Sequence, residues 1–302
     1  MSFHLQYRPQ TLDDFRGNDS EIEKLISVLD REEDKPHTFL FQGQRGCGKT
    51  TLARIAAKDV GCHEEDIIEM DIATKGGIDA ARELKSNLMY KPLFGKNKAY
   101  ILDEVHMGTT AFFNGLLKSL EEPPDHVYFF LCTTDPQKLL KTVKSRCMVF
   151  AVEPLRRKEL VELLEYVVTE QDGDLSNENL QMIAEVSEGI PREALIMLDS
   201  VIDLEADQLE EAIKTAKTQE KQTIDLCRAL LDRKSWKVVS NILKNLKEEE
   251  ESIRYAILGY MNAVLLKSDT PQAAIVMEEF KNSFYSSKKA GLTLACYNSL
   301  EG

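Results

Sequence analysis

The sequence predicts an α/β fold, a parallel sheet with helices on both faces, followed by an all-helical remainder. Three observations carry this. From Thr38 to Phe150, short runs rich in β-branched and aromatic residues alternate with helical stretches, the pattern of strands joined by helical crossovers. A glycine-rich run, Gly43 to Thr51, falls between one such strand and the helix after it. After Val152 the strand signal stops and only helical periodicity continues.

In order, residues 1–37 read as a polar segment plus one helix, about Ser20 to Arg31. Thr38–Gln42 reads as a strand and Leu52–Val60 as a helix. Ile67–Asp71 is a strand, Ile78–Met89 an amphipathic helix and Lys98–Asp103 a strand. Ala111–Leu120 is a helix that must stop before Pro123-Pro124. His126–Cys132 and Met148–Val152 are strands. Three helices follow, Arg157–Glu170, Asn177–Ser187 and Arg192–Asp203, broken at Ser176 and at Gly189-Ile-Pro191. Beyond Gln208 the reading is helical: Leu209–Lys217, Thr223–Asp232, Trp236–Glu249, Ser252–Leu266 and Pro271–Ser286. Domain boundaries are expected near 152 and near 217, giving divisions 1–152, 153–217 and 218–302.

The 302 residues are enough for roughly two domains, with a real core and no need of staples. Hydrophobic residues make up 43 % and charged residues 29 %, a folded rather than disordered balance. The net charge of −13 argues against a free-standing, non-specific DNA binder but leaves room for a local basic patch. No apolar run approaches the ~20 residues of a membrane span; the longest is Val127–Cys132. The start, Met1-Ser2-Phe3-His4, has neither a basic nor an apolar signal region, so a cytoplasmic protein without membrane contact is expected. The six cysteines are scattered with no C-x-x-C spacing, which fits reduced, packed thiols.

The run Gly43, Gln44, Arg45, Gly46, Cys47, Gly48, Lys49, Thr50, Thr51 satisfies G-x-x-x-x-G-K-[ST] in its strand–loop–helix context. Glycines let the backbone curl so that N–H groups face phosphate oxygens, and the helix N-terminus adds its dipole. Lys49 is placed for the β/γ-phosphates and Thr50 for a magnesium ion. The strand Tyr100-Ile-Leu ends in Asp103 and Glu104. Asp103 is expected to help hold the ion, partly through water, and Glu104 to act as general base.

Other motifs surround these. Gln6-Tyr7-Arg8-Pro9-Gln-Thr-Leu-Asp-Asp-Phe15-Arg-Gly17-Asn18 leads the chain. Asp103-Glu-Val-His106 is followed by Phe113-Asn-Gly-Leu-Leu-Lys118-Ser-Leu-Glu-Glu-Pro-Pro124, by Thr133-Thr134-Asp-Pro-Gln-Lys138 and by Ser145-Arg146-Cys147. Across about residues 5–205 this set resembles the bacterial gamma/tau subunits of the DNA polymerase III clamp loader, and more loosely the replication factor C small subunits. The resemblance implies an AAA+ nucleotide-binding domain (1–152), a three-helix lid (153–217) and a helical collar for oligomerisation (218–302). It implies ATP and Mg²⁺ as ligands. Tyr7, Arg8 and the backbone near Phe15–Gly17 would line the adenine pocket. Thr134 would be the hydroxyl that senses the γ-phosphate, with Thr133 the alternative. Arg192 would be the lid cation that reaches that phosphate in cis. Arg146 would be the arginine finger, inserted into a neighbouring subunit's site. Each has a plainer alternative: a turn cap for Arg146, a solvated helix residue for Arg192, ordinary strand formers for the threonines.

The sequence also departs from that family. Only Gly61-Cys62-His63-Glu64-Glu65-Asp66 fills the place of a four-cysteine zinc module. Cys62 and His63 cannot complete a tetrahedral site, so no zinc is expected, and the short form suggests a phage or similarly small replication system, acting then in the cytoplasm of a bacterial host. The implied partners are other loader subunits in a pentamer, the sliding clamp and primer–template DNA. For DNA the candidates are Thr74, Lys75, Gly76, Gly77, Ile78 and Arg82, with Lys141 and Lys144 weaker; a plain loop is the alternative. For the clamp they are Met107, Phe112 and Phe113. One of the two phenylalanines faces a partner, or both serve the core on two faces. Lys118 is a candidate relay between DNA and Glu104. The function implied is that of an ATP-driven motor opening and loading the clamp; the rivals are another AAA+ DNA machine, such as a branch-migration motor or helicase loader, and a nucleotide-binding scaffold with little turnover.

Overall fold

The computed structural model describes residues 2–204, 206–246, 249–284 and 287–301; of residues 206, 207, 210 and 214–221 it describes the backbone alone. The contacts divide the chain into two units, one ending at Leu204 and the other beginning after it.

In the first unit the polar N-terminal segment carries a short helix α1 (Phe3–Gln6) and then α2 (Asp19–Leu29). Five strands follow: β1 (Thr38–Gln42), β2 (Cys62–Asp71), β3 (Asn97–Asp103), β4 (Val127–Thr133) and β5 (Met148–Ala151). They form one parallel sheet in the order β2-β3-β4-β1-β5. Between them lie α3 (Lys49–Asp59), α4 (Ile72–Lys75), α5 (Ile78–Asn87), a 3-10 turn at Val105–Met107, α6 (Thr110–Glu121) and α7 (Lys141–Lys144).

The period-2 alternation of the strands sorts side chains into two cores. Phe39, Phe41, Ile101, Phe130 and Phe150 pack beneath α2 and α3 with Leu25, Leu52 and Ala56. Leu40, Tyr100, Leu102, Phe129 and Leu131 pack on the other face with Leu84, Phe112 and Leu116 from α5 and α6. Burial on both faces explains why these strands read as continuous apolar runs.

β2 is longer than its apolar run Ile67–Asp71 suggested. It begins at Cys62 and its register with β3 shifts between Cys62 and Ile67. Of the added residues Cys62 and Asp66 are buried, and His63, Glu64 and Glu65 are exposed on the sheet's outer strand, where charged side chains are tolerated. The unit ends with α8 (Arg157–Glu170), α9 (Asn177–Val186) and α10 (Pro191–Val201).

The second unit is helical: α11 (Ala206–Leu231), α12 (Trp236–Asn245), α13 (Glu250–Lys267), α14 (Pro271–Phe280) and α15 (Lys288–Glu301). Two helices expected between 209 and 232 are one; the intervening Thr-Gln-Glu-Lys-Gln has no Gly or Pro to break it. The boundary expected at 217 therefore falls inside α11, whereas the units part at Leu204. α14 stops at Phe280, short of the expected end at Ser286, and residues 285–286 lie outside those described. α15 was not foreseen: Leu292, Ala295, Cys296 and Ser299 are buried at helical spacing, but Gly291 and Thr293 among them weaken the helical signal. Phe280, Ile257, Met261, Val276 and Leu230 form this unit's core.

Cys47, Cys62, Cys132, Cys227 and Cys296 are buried free thiols and Cys147 is partly buried. No helix among the described residues is long and apolar enough to cross a membrane.

Candidate nucleotide-binding site

The strand order sets the site. β1 lies between β4 and β5, and β3 lies beyond β4. The C-terminal ends of β1, β4 and β3 are therefore neighbours, with Gln42 paired to Thr133 and Leu102 to Leu131. Ligands of such sheets bind at this edge, where the chain's direction of strand addition reverses. The glycine-rich loop leaves β1 there, Asp103 and Glu104 leave β3, and Thr134 leaves β4.

A cavity of about 1560 Å³ opens over this edge. It is lined by Arg45, Gly46, Cys47, Gly48, Lys49, Thr50 and Thr51, by Asp103 and Glu104, by Tyr7, Arg8, Phe15 and Gly17, and by Arg192. Gly46 and Gly48 have φ of +83° and +102°, a region open to glycine at little cost. A Cβ on Gly48 would lie 2.9 Å from the Phe15 ring, and one on Gly46 would lie 2.6 Å from Ile190. The loop is thus gripped by the N-terminal segment on one side and by the start of α10 on the other. Gly43 and Gln44 lie outside the lining, but the Gln44 carbonyl accepts from Lys49 Nζ at 2.8 Å. Burial holds the Lys49 ammonium below its ordinary value, opposed by Glu104, Cys132 and Asp103.

Two hydroxyl–carboxylate pairs stand at this edge; Thr50, Asp103 and Glu104 line the cavity, and Thr134 lies outside the lining. Thr50 Oγ1 donates to Asp103 Oδ2 at 2.8 Å, and Asp103 Oδ1 accepts from the Glu104 backbone N–H at 2.9 Å. Thr134 Oγ1 donates to Glu104 Oε2 at 2.9 Å. The same oxygen lies 3.4 Å from His106 Nδ1. Glu104 has φ 46° and ψ 44°, a left-handed conformation rare outside glycine, of the kind that gathers at functional sites at a cost of order 1–3 kcal/mol. Thr133 is different: it is fully buried, its hydroxyl lies 3.1 Å from His106 Nδ1 and accepts from Asp135 N–H at 3.1 Å. Of the two threonines, Thr134 is the one against Glu104. The sequence marked His106 as part of a motif but gave it no task; its contacts join the Glu104 carboxylate to the end of β4.

The N-terminal segment is tied into this site. Arg8 Nε donates to Thr51 Oγ1 at 2.9 Å, and burial, then the nearby Arg54, lower the Arg8 value. The Tyr7 ring meets Phe3 and Tyr166 edge-on, and its hydroxyl accepts from Gln171. Ser2 donates to Asp199 on α10 at 2.8 Å. Asn18 exchanges two hydrogen bonds with the backbone of Glu153. Arg192 is exposed and borders the cavity.

Other expectations met different surroundings. Arg146 does not line the cavity of its own chain; it is paired with Glu121. Phe112 and Phe113 are both buried and meet edge-to-face at 5.4 Å. Both serve the core, because α6 packs against both the sheet and α5. Met107 is exposed. Lys118 is exposed too, and the polar partners of Glu104 are Thr134 and His106 rather than this lysine. In the glycine loop, Thr74, Lys75 and Gly77 are exposed, Gly76 O accepts from Thr109 N–H and Oγ1 at 3.0 Å each, Ile78 packs against α6 and Arg82 pairs with Asp79. Lys141 is exposed and Lys144 half-buried.

The sequence reading missed a surface feature. Met89, Tyr90, Leu93 and Phe94 are exposed apolar side chains on one loop. The buried Asp66 carboxylate holds that loop, accepting from the N–H groups of Leu93, Phe94 and Gly95 at 2.6, 2.8 and 2.7 Å. The run Met-Tyr-Lys-Pro-Leu-Phe was the available signal.

Comparison with known proteins places the chain in a family. A family model described as DNA polymerase III, delta subunit, matches residues 67–156. Solved structures of Thermotoga maritima RuvB, one described as a Holliday junction branch migration motor, share the fold. That one is 24 % identical with a TM-score of 0.57, over 69 % of this chain and 72 % of RuvB. A RuvB variant reaches 0.58 at 22 % identity, over 83 % of this chain and 85 % of its own. DNA polymerase III subunit tau of Escherichia coli is 32 % identical over 294 residues, 89 % of this chain and 46 % of the relative. The Bacillus subtilis tau subunit is 30 % identical, over 91 % and 53 %. The chain thus spans about half the length of these tau relatives. DNA polymerase III subunit gamma of Buchnera aphidicola is 30 % identical over 98 % of this chain and 90 % of its own. Similarity along nearly the whole of both chains makes this chain a member of the DNA polymerase III gamma/tau family.

Proposed function

We propose that the chain is an ATP-hydrolysing motor subunit of a sliding-clamp loader, acting in the cytoplasm with other loader subunits on primer–template DNA. The observation that carries the catalytic part is the convergence on one cavity of Lys49, the Thr50–Asp103 pair and Glu104, which Thr134 holds from outside the lining. The donor set fits a nucleotide triphosphate with magnesium: a buried ammonium, backbone N–H groups of a glycine loop, and a hydroxyl beside a carboxylate. Thr50 and Asp103 would hold the ion, whose charge when bound offsets that of the phosphate oxygens. Lys49 and the loop N–H groups hold the phosphates, while Tyr7, Arg8 and Phe15 close the base side.

Glu104 orients the attacking water and takes its proton. Thr134 fixes the carboxylate and reads the state of the γ-phosphate. Arg192 reaches that phosphate from the lid, which the grip of Ile190 on Gly46 supports. Arg146, turned away from its own cavity, serves a neighbouring subunit. The division into nucleotide-binding domain, lid and collar is part of this reading, as is the absence of zinc.

DNA contact is assigned to the loop around Lys75 and Gly77, where no neighbour lies within 4 Å of a Cβ placed on Gly77. In the clamp contact Met107 is joined by the exposed run Met89, Tyr90, Leu93 and Phe94, and Phe112 and Phe113 drop out.

The test is the ATPase rate of the chain with its co-purifying partners, with and without primer–template DNA and the cognate clamp. Joint stimulation by both is the expected result. Replacing Leu93 and Phe94 by Ser should remove the clamp-dependent increment and leave DNA-free turnover unchanged. Turnover indifferent to the clamp would leave the nucleotide site standing and favour another AAA+ DNA machine, the reading for which the RuvB-like fold speaks.

A further inference from the structure

The Arg146 guanidinium is held on two sides within its own chain. Nε and Nη2 both donate to Glu121 Oε2, at 3.0 and 2.7 Å, and Nη1 donates to the Thr142 carbonyl at 2.7 Å. Each Nη carries two N–H groups and uses one, so Nη1 and Nη2 each keep a free donor. The side chain remains 26 % exposed. Its supports are rigid: Leu120 and Val143 beside it are buried, α6 packs on α7, and Pro123-Pro124 follow the end of α6. A free arginine in water samples many rotamers; this one has its donors fixed before any partner arrives, which lowers the ordering cost of engaging an anion.

We propose that Glu121 is a positioning residue for Arg146: it orients the guanidinium so that its free N–H groups are presented to an anionic oxygen in the adjoining subunit. The inference rests on the reading of Arg146 as the residue that completes a neighbour's nucleotide site. Under that reading the oxygen belongs to the terminal phosphate of the neighbour's bound triphosphate. In this role Glu121 acts through Arg146 alone. Thr142 holds the other side through its backbone, so no side-chain change there substitutes for Glu121.

The test is a double-mutant cycle in the assembled complex, reading DNA- and clamp-stimulated turnover. Arg146→Ala should lower the stimulated rate about 10³-fold, to a level still measurable. Glu121→Ala should lower its kcat about tenfold with KM for ATP unchanged. Glu121→Gln, which keeps an acceptor oxygen, should recover most of that loss. In the Arg146→Ala background, Glu121→Ala should add nothing. Glu121 lies on the surface, so the thermal transition should not move and assembly should be retained by size-exclusion chromatography. If Arg146→Ala lowers turnover as expected but Glu121→Ala leaves kcat intact, raises it, or adds its effect to that of Arg146→Ala, Glu121 does not position the arginine. If Arg146→Ala leaves the stimulated rate intact, the parent reading itself falls.

Discussion

Polar groups are buried in contrasting ways at the cavity of the first unit and in the core of the second. In the first, the buried Lys49 spends one donor on Gln44 O and turns to the cavity, and the two hydroxyl–carboxylate pairs sit at its edge. In the second, Gln272 donates to the carbonyls of Leu230 and Ser299, at 3.0 and 2.6 Å, and accepts from Arg233 Nε at 2.5 Å. Arg254 donates to Glu251 at 2.8 Å and to Phe280 O at 3.3 Å, while Glu251 also accepts from Phe284 N–H. Those groups join α11, α14 and α15, and α13 to the end of α14. Polar burial with unspent valence marks a site that awaits a ligand; polar burial with valence satisfied inside the chain ties helices together.

The comparison can be broken by substitution, and the largest effect should come from the open side. Lys49→Ala should lower ATP turnover by about 10²–10³-fold or more, with the thermal transition unchanged or slightly raised, because a desolvated charge is removed. A fall of many degrees would show that Lys49 is glue rather than site. Next, the adjacent threonines should separate. Thr134→Val should cut turnover roughly tenfold or more at constant stability. Thr133→Val, inside the closed network with His106 and Asp135, should cost about 1–3 kcal/mol in calorimetry.

On the closed side, Gln272→Leu leaves the Ser299 carbonyl without its donor, at about 1–3 kcal/mol for an unsatisfied group, while Leu230 O keeps the Arg233 N–H at 3.3 Å. The helical unit should then melt several degrees lower, with nucleotide affinity unaltered by titration calorimetry. The smallest effect sharpens the contrast between charged and neutral networks. Burial works to raise the Asp66 value, but the N–H groups of Gly95, Leu93 and Phe94 outweigh it and hold the carboxyl below the usual range. A depressed folded value means the cradle contributes fully above the unfolded value of about 3.9 and is lost as pH falls through the folded one. Hydrogen exchange should show the amides of Leu93, Phe94 and Gly95 protected near neutrality and released well below pH 4. The bonds of Gln272, which has no proton to take up, should not answer to pH in that window.

The first unit was legible because its strands are apolar on both faces and its helices are bounded by strong signals; α8 runs from Arg157 to Glu170 as read. Its phosphate loop was legible because glycine spacing and a following helix dictate one geometry. What could not be read was three-dimensional pairing. Nothing in the order Thr133-Thr134 says which hydroxyl turns to Glu104; that follows from how β4 ends beside β3. Phe112 and Phe113 both reach the core because α6 is covered on two faces, which periodicity along one helix does not disclose. Asp66 and Leu93 lie far apart in the chain and meet only through the return of β3 beside β2. In the second unit the α15 pattern was diluted by glycine and threonine, and the Gln272 network joins residues from separate helices.

The cysteines offer a last consequence. Burial pushes the thiols of Cys62, Cys227 and Cys296 up to about 12 and that of Cys132 well above its ordinary value. At neutral pH such thiols react with an alkylating reagent only when their surroundings part. Cys62 and Cys132 sit in the sheet, Cys227 on α11 and Cys296 on α15. The chain therefore carries its own clocks in both units. A single labelling time course, read by mass at each cysteine, would time the breathing of one unit against that of the other without any added probe.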